Sequence, residues 1–184
     1  MLILGTSHVG KTRLATDLGA ALGWPVVGTD TLARHPGRPW ADAPPPVLEH
    51  FIALSEEAIL WFLRTHHDNL RHRVSQVLAR PGSQIVEGAA LRPEYLAEWG
   101  VPAERALCLF SDPEVLRARI MAASRYEGQP TFVKRAIKGF VARSLAENTA
   151  LAEAARAAGI ACVDTSEFSR MPDVLASWQA RLSS

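Results

Sequence analysis

Five short apolar runs punctuate the chain, and helical patterns fill the intervals between them. The runs are "LIL" at 2–4, "PVVGT" at 25–29, "QIVE" at 84–87, "RALCLF" at 105–110 and "IACVD" at 160–164. Near-continuous apolar strands alternating with helices predict a parallel sheet covered on both faces. Leu14, Leu18 and Leu22 recur at four-residue spacing and predict a first helix, which Gly23 stops. From Val47, positions Leu48, Phe51, Ile52, Ile59, Phe62 and Leu63 fit a helical face that continues or restarts through Leu70, Val74 and Leu78 and ends at Pro81 and Gly82. "SDPEVL" reads as a helix start, with Ser111 or Asp112 as cap, Pro113 in the first turn and Glu114 at the positive helix end. After the break "EGQP" a long stripe runs through Phe132 or Val133, Ile137, Val141, Leu145, Leu151 and Ala155 to Gly159. A closing helix carries Val174, Leu175, Trp178 and Leu182. Only "RHPGRPWADAPPP" at 34–46 lacks a period, because its prolines and glycine deny it a regular ladder.

Composition narrows this layout to one α/β domain spanning 1–184. A chain of 184 residues, 48% hydrophobic and 21% charged, buries one substantial core and is short for two. A formal net charge of +1 supplies no overall field for nucleic acid or an anionic membrane, and no run approaches transmembrane length. The expected partner is therefore a small molecule recognised locally; nothing in the pattern fixes an oligomeric state. Cys108 and Cys162 sit inside apolar runs without metal-ligand spacing, which suits buried thiols, and the start lacks a basic leader. A cytoplasmic location is the expectation.

The candidate chemistry begins at "GTSHVGKT", residues 5–12, between the first strand and the first helix. It matches G-x-x-x-x-G-K-[ST] with Gly5, Gly10, Lys11 and Thr12 in register. The glycines let the backbone turn so that N–H groups of Gly5, Thr6, Ser7, His8, Val9 and Gly10 point at phosphate oxygens, aided by the positive end of the helix that follows. Lys11 then meets the β- and γ-phosphates, and Thr12 offers its hydroxyl to magnesium. His8 is expected to contribute mainly its backbone N–H.

The motif and its setting resemble the P-loop NTPase superfamily, and within it the small-molecule kinases related to nucleoside monophosphate kinases, shikimate kinase, chloramphenicol phosphotransferase and zeta toxins. The resemblance implies a three-layer fold with a five-stranded parallel sheet in the order 2-3-1-4-5, a substrate-side loop and helical region at 31–82, and a helical lid at 117–145. It also implies ATP and Mg2+ as cofactors and transfer of the γ-phosphate to a small hydroxyl- or phosphate-bearing metabolite. No N-K-x-D guanine-reading motif occurs, and "QIVEG" ends in Glu87 alone rather than in the paired acids of motor ATPases.

Asp30 follows the second strand, where carboxyl ends of strands line the ligand crevice. In the related kinases an aspartate there orients or deprotonates the acceptor, so Asp30 is the candidate base; capping of "DTLAR" is its structural alternative. Glu87 is the candidate carboxylate for a magnesium-bound water or a competing base, against the alternative of capping a short helix near Pro93. By resemblance, Arg119 falls where an arginine stacks on adenine, and Arg125 where an arginine contacts the transferring phosphates. The segment "SRYEGQPTF" departs from the arginine-rich lids of those kinases, and Lys134, Arg135 and Arg143 are further unranked cations.

His66, His67 and His72 have no metal-binding spacing; with Arg64, Arg71 and Arg73 they read as a solvated helix face or an anion-holding stretch. Arg34 and Arg38 flank the Pro-rich loop and are candidate substrate clamps. The five tryptophans read as core or partial core, with Trp40 the exception beside the acceptor side. Two other readings remain open: a nucleotide-responsive binding protein with slow or absent hydrolysis, and a kinase of the toxin or antibiotic-modifying kind.

Overall fold

The computed structural model describes residues 1–33, 37–167, 169 and 171–183. Its strands are β1 (Leu2–Leu4), β2 (Val26–Gly28), β3 (Ile85–Gly88), β4 (Ala106–Phe110) and β5 (Ala161–Asp164). All pair in parallel, in the order β2-β3-β1-β4-β5, as the resemblance implied. The three inner strands are almost wholly buried and the two edge strands are not, which is the burial a sheet covered on both faces imposes.

Six α-helices occupy the described residues: α1 (Lys11–Leu22), α2 (Pro45–Ala53), α3 (Glu56–Leu78), α4 (Pro113–Ala123), α5 (Thr131–Ala157) and α6 (Met171–Ser183). Because side chains alternate along a strand, Ile3, Ile85, Leu107 and Leu109 enter one layer with Leu14, Leu18, Ile137, Phe140 and Trp178. Leu2, Leu4, Val86 and Cys108 enter the other, with Val74, Val77, Leu91 and Ile160. Among the described residues no helix is long and apolar enough to cross a membrane.

Local chemistry sets the boundaries. Gly23 ends α1 in the left-handed region at φ 68°. The apolar face begun at Val47 breaks at Leu54 and restarts behind Ser55, whose side chain accepts from the Ala58 N–H, with Glu56 and Glu57 in the first turn of α3. Asp112, rather than Ser111, caps α4 by accepting from the N–H groups of Glu114 and Val115. Ser111 instead exchanges hydrogen bonds with the Asn148 side chain, tying β4 to α5. On α5, Val133 is buried and Phe132 faces out. The region 31–82 contains α2 and α3, while 117–145 contains the end of α4, a 3-10 turn at Tyr126–Gly128 and the first half of α5.

Trp61 corrects the expectation for the tryptophans: it is 61% exposed, whereas Trp178 is buried. Cys108 and Cys162, distant in sequence, are register partners on β4 and β5 as free thiols, and burial pushes the Cys108 thiol up to about 12.

Candidate functional site

Gly5, at the mouth of β1, has φ 142°, and a Cβ there would lie 2.4 Å from the Leu109 carbonyl oxygen. Only glycine lets the chain leave the sheet so close to β4. His8 and Gly10 then take left-handed backbone at φ 66° and 90°, and the Leu14 N–H closes the first helical bond to Gly10 O at 3.1 Å. No side chain caps α1 and no acid lies in its first turn, so its positive end faces the loop opening. That is the arrangement an anion-binding helix start requires.

Five functional groups converge there. One opening of about 190 Å3 is lined by Ser7, His8, Gly10, Lys11, Thr12 and Arg13 from the loop and helix, Asp30 after β2, Arg38 from the Pro-rich loop, and Glu87, Gly88 and Ala89 at the end of β3. The Lys11 ammonium folds over the loop and donates to Thr6 O at 2.7 Å. Burial lowers its pKa, opposed first by Glu87 and then by Asp30. Thr12 Oγ1 donates to Glu87 Oε1 at 2.9 Å. Gly88 makes room for this crossing of strand ends, because a Cβ on it would sit 1.7 Å from Thr29 Oγ1.

The two carboxylates are held differently. Glu87 is buried and engaged with Thr12, and the 3-10 turn at Pro93–Tyr95 has no side-chain cap, so the alternative of a capping Glu87 is overturned. Asp30 stands exposed in the turn Thr29–Thr31, near enough to Lys11, His66 and Arg143 to shape their titration. Thr12 and Glu87 put a hydroxyl and a carboxylate side by side at the phosphate opening. Hard oxygen donors of this kind suit a magnesium ion whose remaining ligands are phosphate oxygens and water. Among the described residues no three of His, Cys, Asp and Glu are grouped to hold a metal.

His8 does more than lend its N–H. Its ring packs inward against Trp40 at a tilt of 47°, with centroids 5.8 Å apart, and meets Phe140 edge-on at 6.2 Å. Both ring nitrogens are buried without a hydrogen-bond partner. Trp40 and Phe140 themselves pack edge-to-face at 5.0 Å, so this aromatic column fastens the Pro-rich loop, and with it Arg38, to the phosphate loop. Burial, then Arg38, Lys11 and Arg143, pulls the His8 pKa from 6.5 to about 4. The unfolded chain therefore binds this proton at higher pH than the folded one, and stability falls as pH drops from about 6.5 toward 4. His8→Asn, whose side chain tolerates positive φ, is expected to shrink the loss of unfolding free energy between pH 7 and 4.5 by ~2 kcal/mol in urea titrations.

No family model matches the chain, and no curated protein matches it. Solved structures do. Shikimate kinase from Bacteroides thetaiotaomicron superposes with a TM-score of 0.53 at 14% identity, covering 100% of this chain and 97% of its own. A gluconokinase from Sinorhizobium meliloti gives 0.53 at 16% identity, covering 98% and 91%. The chain has the fold of the P-loop small-molecule kinases.

Within this kinase fold some expected residues stay away from the phosphate opening. Arg125, at φ 49° after α4, lines a separate shallow cavity with Met121, Ala122, Tyr126, Glu127 and Gly128. Arg119 holds the loop after β5, donating to the carbonyls of Thr165 and Ser166. Lys134 pairs with Glu127 at 3.7 Å, and Arg135 is exposed. The solvated-face reading of the histidine stretch holds for Arg64, His72 and Arg73, which are exposed, and is corrected for two residues: His67 is buried and His66 lines a second cavity. Arg71 pairs with Glu98 at 3.2 Å and Arg73 donates to Leu32 O at 2.5 Å, so both arginines secure neighbouring segments. Arg34 lies outside the described residues, whereas Arg38 is the cation brought to Lys11.

Proposed function

We propose that the protein is an ATP- and magnesium-dependent phosphotransferase that moves the γ-phosphate to a small acceptor bearing a hydroxyl or phosphate group. The observation that carries this reading is the single opening shared by Lys11, Thr12, Asp30, Arg38 and Glu87. Loop amides and Lys11 hold the phosphates, and Thr12 with Glu87 orients the metal's water shell. Asp30 positions the acceptor hydroxyl and takes its proton, while Arg38 covers charge developing on the transferred group. Arg119 is the proposed platform for the adenine, since its head is already pinned to the loop after β5. Arg125 reaches the phosphates only if the turn at Tyr126–Gly128 moves. Magnesium supplies neutralisation of the phosphate oxygens when bound. The adjacent free thiols fit a reducing compartment such as the cytoplasm.

The first test is linkage between ligand and stability. ATP with magnesium at a hundred times its dissociation constant is expected to stabilise the fold by about 2.7 kcal/mol, read as a rise in Tm, and ATP with EDTA by less. No rise at millimolar nucleotide would remove the reading.

A further inference from the structure

The second cavity, of about 300 Å3, lies between α2, α3 and α5 and is not used by the phosphate chemistry. Phe51, Ile59, Phe62 and Leu63 give it an apolar wall, and His50, Thr65, His66 and Asn69 supply scattered polar groups. Its charge comes from Arg143. That side chain is more than nine-tenths buried, stacks on Phe140 at 4.3 Å, and reaches Ser144 Oγ at 3.4 Å through Nη2, but its Nε has no hydrogen-bond partner. Glu147, one helical turn further along α5, commits its Oε1 to Arg92 at 2.5 Å, and its buried Oε2 makes no hydrogen bond to Arg143 or to any other described group.

Electrostatics sharpen the picture. Burial pulls the Arg143 pKa down to about 10, with Glu147 and Asp30 offsetting only part of it. Burial also lowers His50, with Arg143 adding to the effect, and lowers His66 against the pull of Asp30. Burial thus favours the neutral form of both imidazoles beside one guanidinium, and Asp30 acts on the cavity from the phosphate side. A buried guanidinium with an unused N–H asks for one anionic oxygen group. One cation neutralises a monoanion such as a carboxylate but leaves a phosphate dianion half-compensated. The wall of Phe51, Ile59, Phe62 and Leu63 suits an apolar body better than a polyol, whose several hydroxyls would have only His50, Thr65, His66 and Asn69 to pair with.

We propose that this cavity is the acceptor site and that its acceptor is a hydroxy acid with an apolar body, its carboxylate on Arg143, its body against Phe51, Ile59, Phe62 and Leu63, and its hydroxyl directed to Asp30. The proposal rests on the phosphotransferase reading above. The acceptor oxygen forms a bond to the γ-phosphorus as the bond from that phosphorus to the β–γ bridging oxygen breaks. ADP leaves with the electron pair, and the hydroxyl proton passes to the Asp30 carboxylate.

The test uses the full chain with ATP and magnesium, following ADP release with 3-(hydroxymethyl)benzoate, its carboxamide analogue and gluconate. The expected result is a kcat/KM for the aryl acid at least tenfold above that for either of the others. Arg143→Met should erase the acid-over-amide preference through KM while Tm holds. Phe62→Ser, on a wall that is half exposed and outside the buried core, should lower kcat/KM for both aryl probes and narrow the gap to gluconate. The proposal is overturned if gluconate is preferred, or if Arg143→Met slows acid and amide equally. It is also overturned if the aryl acid is neither phosphorylated nor stabilising in the presence of magnesium and a non-hydrolysable ATP analogue. In each of those cases the phosphotransferase reading stands as long as ATP with magnesium itself stabilises the protein; if it does not, both fall together.

Discussion

Lys11→Met is expected to lower kcat/KM for phosphoryl transfer about a thousandfold while leaving Tm unchanged or higher. The two effects have opposite signs because they come from different sides of one charge. Lys11 is nearly buried, and desolvation outweighs the attraction of Glu87 and Asp30, so its pKa falls on folding. A cationic group whose folded pKa is depressed destabilises the fold at every pH below that pKa, and the penalty fades as pH rises through it. Methionine keeps the methylene packing, forfeits the bond to Thr6 O and removes the penalty. What is lost is the ammonium that meets the β- and γ-phosphates where charge develops. Steady-state assays beside melting curves check the pair of outcomes. A large fall in Tm would mean that Lys11 holds the loop together, and normal turnover would mean that the opening is not a phosphate site.

The features readable from the chain were those whose causes are local. "GTSHVGKT" sets its own geometry, since Gly5 and Gly10 permit the turn and the next residues start α1. Asp112 with Pro113 marks the head of α4 for the same reason. Edge and centre strands were distinguishable only weakly, because "PVVGT" is as apolar as "QIVE" although Val26 is 37% exposed at the sheet edge. Contacts between distant segments left no local mark. Arg38 joins Lys11 because Trp40 packs on His8 and Phe140, a contact spanning most of the chain. Arg143 looked like one cation among several, yet it stands three residues after Phe140 and four before Glu147, on the buried face of α5. A charged pair at that spacing inside an apolar stripe is the signal that marks it as interior rather than solvated. His67 was marked by position alone, lying on the apolar stripe three residues before Leu70 and seven before Val74.

Asp30→Asn provides the second large effect, and Glu87→Gln is its necessary companion because either carboxylate is placed to act as base. Asp30 is exposed, and the amide is nearly isosteric, so nucleotide affinity and Tm should stay close to wild type. Transfer should fall by about 10²–10⁴, the usual contribution of a positioned proton acceptor. Glu87 is in a different position. It is buried, accepts from Thr12 Oγ1, and is the largest carboxylate influence opposing the desolvation of Lys11. Glutamine can still accept the Thr12 hydrogen bond but no longer supports the ammonium or a magnesium water shell, so the larger effect should be a rise in KM for ATP with magnesium, with kcat at saturating nucleotide close to wild type. A kcat effect confined to Asp30→Asn assigns proton transfer to Asp30 and metal organisation to Glu87. The reverse pattern, with Asp30→Asn turning over normally and Glu87→Gln inactive but still binding nucleotide, exchanges the roles. Glu87 would then be the base, and Asp30 would be left to bias Arg143 and His66 in the neighbouring cavity.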